Sequence, residues 1–368
     1  MQILTVAIVG AGIGGVYLAA QLGACGARTR LTDLDDTRLA DIRARGGLDV
    51  EIDGKVIFSA IERVTTDLAA AVDGAEVIAV CTGGTYQESV ARGLAPLLVD
   101  GQTILLIQGN TGGALAFRCA LDVAGCRARV DIAEMDNYPY SCWRVSPTHI
   151  KPIVMKKGLQ IATFPGNRVD AVFARLGPLF PGAVARPSIA WTSFMNANAM
   201  LHVANCVANA GKIDRGEGYK FYAEGVTPAV GRLYQAINAE RVAVAAALGA
   251  TVPTLEDWFA LTYGVRGATL SETCQLLTTN SDGPYQATGT PRDWSHKYIA
   301  EDVPVGLMPM RAIGEAVGVP TPVIDAVIRL AQTLAGSDFA GDARTLERMG
   351  LAGMDAAQIK QTLAAGLN

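Results

Sequence analysis

Strand-length and helix-length hydrophobic patterns alternate through the first half of the chain. The runs "ILTVAIVG", "RTRLTD", "AEVIAVCT" and "TILLIQG" have the length of strands. Helical text separates them, beginning with "GIGGVYLAAQLGACG", which Gly26 closes. Apolar strands spaced by helices predict a mostly parallel sheet covered on both faces. "LDVEIDGKVIFS" alternates around Asp53-Gly54, a hairpin signal. "ARVDIAEMD" and the pair around "PIVMKKGLQIATFPG" are expected to close the sheet. From about Ser188 the pattern turns helical. Thr254 and Asp257 read as a capping box before "LEDWFALTYG", Pro322 sits at a first helical position after Thr321, and Asp355 opens "AAQIKQTLAAG" with Gln358 three residues on. "PGAVARPS" breaks the pattern, which places a boundary near residue 187.

Composition fits this division. A chain of 368 residues, 50% hydrophobic, is long enough for two cores. A net charge of −4 with signs interspersed gives no reason to expect nucleic acid or an anionic membrane as partner. No run of about 18 apolar residues suggests a membrane span. The first residues lack the basic region and cleavage site of a signal peptide. Seven cysteines, odd in number and without a C-x-x-C pair, read as reduced thiols in a cytoplasmic protein, with no metal site.

Chemistry first becomes specific at "VGAGIGG". Gly10, Gly12 and Gly15 form G-x-G-x-x-G between a strand and a helix, with Ile13 and Gly14 inside the motif. Gly10 makes the tight turn, Gly12 lets a pyrophosphate approach backbone N–H groups, and Gly15 lets the helix pack on the sheet. Asp33 ends the next strand, where a carboxylate accepts ribose hydroxyls and repels a 2′-phosphate. The expected fold is therefore α/β: a doubly wound Rossmann sheet in residues 1–187 that binds NAD, followed by an all-helical domain in 188–368. Arg30 and Arg38 lie near Asp33 and read either as surface charges or as ligands of the 2′-phosphate of NADP. Asp35 and Asp36 read as caps of the following turn. Cys81 and Thr82 open "CTGGTYQ" at a strand's carboxyl end, a position that borders the ligand crevice in such sheets. Asn110 and Thr111, in "QGNTGGALAF", suit ligand contacts and ordinary turn chemistry equally.

The second candidate site is "NANAMLHVANCVANAG". If residues 192–210 form one helix, Asn198, His202, Asn205 and Asn209 make a single polar stripe. Such a stripe meets either a polar cleft or buried hydrogen-bond partners. "HKYIAEDVPVGLMP", after a long polar loop, adds Lys297, Glu301 and Asp302. A carboxylate beside a histidine fixes its tautomer, and a lysine binds a substrate carboxylate.

Taken together, "VGAGIGG", "TDLDDTRL", "NTGGALAFR", "NANAMLH", "YAEGVTPAVG", "INAERVAVA", "KYIAEDVPVGL" and "VGVPTPVIDAVI" resemble the opine dehydrogenase family, with its N-(1-carboxyethyl)-norvaline and octopine–nopaline branches, over nearly the whole length. The resemblance implies NAD(P)H-dependent reductive condensation of an amino-acid amine with an α-keto acid. It implies that His202 is catalytic and paired with Asp302. Lys297, Asn198, Asn110 and Thr111 are the residues expected to contact substrate. Family members often carry arginine where this chain has Lys297, so the bidentate fork is lost there. No metal is implied. The expected partners are an amino acid and a keto acid, with a homodimer as the assembly considered. Hydride and proton donors are expected to face each other across an interdomain cleft that NADH binding biases toward accepting the keto acid. The alternatives are a ketopantoate or 2-hydroxyacid-type reductase, and a non-catalytic nucleotide-binding protein.

Asp33 generates a first prediction. NADH is the better coenzyme, with a kcat/KM above that of NADPH in parallel steady-state assays. Equal efficiencies would shift the adenosine contact to Arg30 or Arg38.

Overall fold

The computed structural model describes residues 3–279, 285 and 289–367. Two compact units emerge. The first comprises residues 1–109 and 113–187, the second residues 110–112 and 188–368. The short segment 110–112 thus leaves the expected first domain and belongs with the helices.

Twelve strands build the first unit: β1 (Thr5–Val9), β2 (Arg28–Thr32), β3 (Gly47–Ile52), β4 (Lys55–Ala60), β5 (Arg63–Thr65), β6 (Val77–Val80), β7 (Thr103–Leu106), β8 (Asp131–Met135), β9 (Tyr140–Ser146), β10 (His149–Met155), β11 (Gln160–Phe164) and β12 (Val184–Arg186). Eight form the main sheet in the order β12-β11-β8-β7-β6-β1-β2-β5. From β5 to β8 neighbouring strands are parallel, and β11 runs antiparallel to β8. Every residue of β1, β6 and β7 is buried, which is why these strands read as continuous apolar runs.

The remaining four strands depart from expectation. They form a separate sheet in the order β4-β3-β10-β9. The hairpin at Asp53-Gly54 is present, with Ile52 opposite Lys55 and both turn residues at positive φ (49° and 73°). It does not join the main sheet, and neither does β10, the first strand of the "PIVMKKGLQIATFPG" pair. Leu48 and Val50 of β3 and Ile150 of β10 share a buried cluster with Val16, Tyr17 and Leu18 of the Ile13–Ala24 helix. Tyr140 on β9 meets Tyr17 edge-on, with ring centroids 4.3 Å apart, and donates its hydroxyl to the Gly14 carbonyl at 2.8 Å. The small sheet therefore braces the helix that follows the glycine turn.

The second unit is helical, and its start signals hold to different degrees. Asp355 and Gln358 form a complete capping box. The Thr254 hydroxyl accepts from Asp257 N–H, but the Asp257 carboxylate accepts a hydrogen bond from that hydroxyl rather than from the Thr254 backbone N–H. Pro322 occupies the first position of its helix as expected, while Thr321 makes no side-chain cap. The Glu240 carboxylate accepts the N–H groups of Val323 and Ile324 instead, both at 2.8 Å. No described helix is long and apolar enough to cross a membrane.

Asp136, just past β8, is buried and accepts Gln160 N–H at 2.8 Å. Burial pushes its carboxyl up to about 7, against the pull of that N–H and of the Lys156 ammonium. A folded value above the unfolded one means that the group's contribution to stability is complete below about pH 4 and is lost as pH rises through about 7. Asp136→Asn keeps an acceptor without the charge. Its melting temperature relative to wild type should therefore rise from pH 5 to pH 8; a difference independent of pH would refute this.

Candidate active site

At the glycine turn, three glycines are required by close packing and the fourth borders open space. Gly10 has φ 111°, and a Cβ there would lie 2.8 Å from the Cys81 carbonyl oxygen. At Gly15 it would lie 2.0 Å from the Gly10 carbonyl oxygen, and at Gly14 2.6 Å from the Tyr138 ring. At Gly12 it would meet nothing within 4 Å. Gly12 also caps the Ile13–Ala24 helix without any side-chain hydrogen bond. An uncapped helix N-terminus beside open space fits a dinucleotide phosphate.

Asp33, directly after β2, accepts Ala11 N–H at 2.6 Å and Asp35 N–H at 2.9 Å. It ties the glycine turn to the following loop, and each carboxylate oxygen keeps a second lone pair for a ribose hydroxyl. Asp35 caps its turn at Thr37 N–H, while Asp36 pairs with Arg43. Arg30 pairs with Glu62 at 2.8 Å; Arg38 lies 3.2 Å from Asp35 and 3.8 Å from Asp33. Cys81 is buried against Gly10 and Gly15, and burial drives its thiol far up. The Thr82 hydroxyl, at the carboxyl end of β6, is buried and has no partner among the described residues.

In the second unit the polar stripe is divided. Residues 192–210 do not form one helix. The Ile189–Met195 helix ends at Asn196, whose side chain accepts Asn198 N–H and starts the Asn198–Ala208 helix. Asn196 thus caps a break that the regular spacing had concealed. Asn198, His202 and Asn209 each retain some exposure. Asn205 is fully buried, donating to the Phe221 carbonyl at 2.9 Å and accepting from Tyr219 at 3.0 Å. Asn209 bonds the Asn205 and Gly225 carbonyls. Asn205 thus braces the interior, while Asn209 ties the end of its helix to Gly225.

His202 Nδ1 lies 2.7 Å from Asp302 Oδ2, and the two side chains are 12% and 10% exposed. A π-helical turn, Val303–Leu307, follows Asp302 directly. Gly306 in that turn approaches Ala199 so closely that a Cβ would sit 2.4 Å from the Ala199 methyl. This contact sets the turn against the Asn198–Ala208 helix, one turn before His202. Tyr298 stacks on the imidazole (3.8 Å between centroids, 18° between planes), and Phe221 meets it edge-on at 5.7 Å. His296 caps the short Lys297–Ala300 helix by accepting Tyr298 N–H on Nδ1. Burial and the neighbouring Lys297 lower its pKa, so it favours the neutral form. Lys297 is exposed, its ammonium 5.9 Å from the Tyr298 ring centroid.

Asn110 and Thr111 are buried within the helical unit. The Asn110 side-chain oxygen accepts from Asn196, Thr111 N–H donates to the Val305 carbonyl, and buried Arg344 donates to the Thr111 carbonyl. Asn110 holds φ at 58°, and Gln108 at 68°, both unusual for residues with a side chain. The Thr111 hydroxyl is buried without a partner among the described residues. Sequence reasoning brought His202 and Asp302 together but missed Tyr298, Phe221 and His296. The "HKYIAED" spacing, with an aromatic four residues before the aspartate, was the available signal for Tyr298. Among the described residues no group of three His, Cys, Asp or Glu is arranged to hold a metal.

Comparison with known proteins follows this division. Residues 185–335 match the family model "NAD/NADP octopine/nopaline dehydrogenase, alpha-helical domain", and residues 6–120 match "Ketopantoate reductase PanE/ApbA". The chain is 33% identical to an opine dehydrogenase of Arthrobacter sp. (strain 1C) over 359 residues, 98% of each chain. Its fold is similar to that of an octopine dehydrogenase solved with NADH and L-arginine (TM-score 0.79, 21% identity, 98% of each chain). It is also similar to a yersinopine dehydrogenase solved with NADP+ (TM-score 0.72, 16% identity, 99% of this chain and 98% of the other).

The stacking of Tyr298 on His202 generates the next prediction. Tyr298→Phe keeps an aromatic face and should retain most turnover. Tyr298→Leu loses the stack, worth about 1 kcal/mol, and kcat should fall roughly five- to tenfold with circular dichroism unchanged. Equal activity in both variants would remove Tyr298 from any role in orienting the ring.

Proposed function

The chain belongs to the opine dehydrogenase family, and on that premise we propose that His202 and Asp302 drive the union of an amino-acid amine with an α-keto acid, the resulting imine being reduced to a secondary amine. The protein is a nicotinamide-dependent oxidoreductase of the opine dehydrogenase type. The observation that supports the catalytic assignment is the 2.7 Å contact between His202 Nδ1 and Asp302 Oδ2.

With the Nδ1 proton directed at Asp302, Nε2 is the position that exchanges protons with substrate. The neutral imidazole takes a proton from the substrate ammonium, freeing the amine to attack the keto carbon. The imidazolium then returns that proton to the carbinolamine hydroxyl, which leaves as water. Asp302 holds the ring in one tautomer and balances its charge while it is protonated. NADH, when bound, supplies the hydride to the imine carbon. The product amine gains a proton from solvent, so the net reaction consumes one proton. Lys297 and Asn198 are proposed to hold substrate. Lys297 acts as a point charge for a carboxylate, without the two-pronged geometry of an arginine. Asn198 precedes His202 by one helical turn, on the same side. The unpartnered Thr111 hydroxyl is a further candidate contact, while the Asn110 side-chain oxygen is already engaged by Asn196.

Gly10, Gly12, Ile13, Gly14 and Gly15 are proposed to receive the dinucleotide, with Asp33 at the ribose, Thr82 at the end of β6 and Cys81 as packing beneath. The seven free cysteines suit a reducing cytoplasm.

The test is NADH consumption across a panel of amino acids against pyruvate, 2-oxoglutarate and glyoxylate. Turnover should require both partners; oxidation of NADH by a keto acid alone would favour a hydroxyacid-type reductase. In the active pairing, His202→Ala should lose roughly 10²–10⁴-fold in kcat while NADH affinity and melting temperature stay near wild type. A variant that unfolds, with normal specific activity in its folded fraction, would make His202 a core residue.

A further inference from the structure

The glycine turn opens, within the first unit, onto a groove of about 620 Å³ whose lining includes Ala11, Gly12, Ile13, Arg38, Asp41 and Arg144. Two arginines line it, and they differ. Arg38 is held by carboxylates, 3.2 Å from Asp35 and 3.8 Å from Asp33. Arg144 makes no ion pair among the described residues. Its guanidinium donates to the Pro147 carbonyl at 3.3 Å, a long bond that occupies one of five donors. Its side chain is half-buried, so the unmatched charge is partly withdrawn from water.

The strand that carries Arg144 fixes where that charge points. Residues two apart on a strand share a face. On β9, Tyr140 donates to the Gly14 carbonyl at 2.8 Å, and the Cys142 thiol lies 3.6 Å from the Ile13 carbonyl. Arg144 continues that series, pairing in register with buried Ile150 of β10. It is therefore the third side chain on the face that holds the start of the Ile13–Ala24 helix, and it lines the same groove as the uncapped N-terminus of that helix. A half-buried guanidinium without a carboxylate and a helix N-terminus without a cap attract the same chemistry, an anion with several acceptor oxygens.

We propose that Arg144 is a phosphate ligand of the bound dinucleotide, presented to it by the small sheet. The proposal rests on the dinucleotide reading of the glycine turn. It assigns the small sheet a binding role in addition to its role as a brace. It also separates the two arginines: Arg38 belongs to the carboxylate cluster around Asp33, and Arg144 to the nucleotide.

Calorimetric titration of the full-length protein with NADH, NADPH, ADP and adenosine tests this without turnover. For Arg144→Gln, affinity for NADH and ADP should fall at least tenfold while adenosine binding is unchanged; Arg144→Lys, which keeps the charge but not the fork, should recover part of the loss. Melting curves of both variants guard against misfolding, and the lysine variant carries the test if the glutamine variant does not fold. Loss confined to NADPH would assign the contact to the 2′-phosphate rather than the pyrophosphate, still as a phosphate ligand. Wild-type affinities for all four compounds in a folded Arg144→Gln protein would overturn the proposal and leave the dinucleotide reading intact. Failure of wild type to bind NADH would overturn that reading, and the proposal with it.

Discussion

The meeting of His202 with Asp302 depends on how closely two backbones approach. Gly306 faces Ala199 with no room for a second methyl between them. Any larger residue at either position would push the Val303–Leu307 turn off the Asn198–Ala208 helix. Asp302 enters that turn and His202 projects from that helix, so the 2.7 Å contact between them inherits this tolerance. The π-helical turn is part of the same constraint. Pro304 lacks an N–H, and the ladder widens where a regular α-helix would have continued. Buried Asp302 and its histidine are thus held by packing of the smallest side chains.

Support for this contact comes from neutral and aromatic groups. Tyr298 and Phe221 fix the imidazole plane, and Asn205 locks the helix to the segment carrying Phe221. From the Pro228–Ala247 helix, buried Arg241 bonds the Asn238 side chain and the carbonyl of Phe194 on the Ile189–Met195 helix, and burial lowers its pKa to about 9. These contacts stiffen the scaffold around the imidazole, whose one ionic partner among the described residues is Asp302.

What the sequence disclosed follows from what leaves a local trace. Six of the eight main-sheet strands, the glycine turn, Asp33 and the Asp355 cap are each written in a few adjacent residues, so they could be read directly; the three-residue strands β5 and β12 leave no such run, and β12 falls in the "PGAVARPS" stretch that reads as a break. His202 with Asp302 required the family resemblance, because the two are distant in the chain and no periodicity joins them. The small sheet was only half legible. Its hairpin carries a turn signal, but β9, "YSCWRVS", alternates an aromatic or thiol with serine, tryptophan and valine in a way that matches no clean period. The break at Asn196 was hidden because the spacing of Asn198, His202, Asn205 and Asn209 continued a helix that in fact begins at Asn198. Burial then separated members of the stripe that sequence treats as equivalent.

The segment Asn110–Gly112 has a consequence for how the chain can be divided. The polypeptide passes between its two units at 109/110, 112/113 and 187/188, not once. The inserted tripeptide is tightly held: Gly112 N–H donates to Ser193, Thr111 bonds Val305 and Arg344, and a Cβ on Gly112 would collide with Met349. The helical half therefore contains a part that is synthesised long before the rest of it. Its core is complete only when Ser193, Val305, Arg344 and Met349 have gathered around residues 110–112. A gene cut at the apparent boundary would yield two incomplete pieces. Fusion, rather than later association of separate folded modules, is built into the topology.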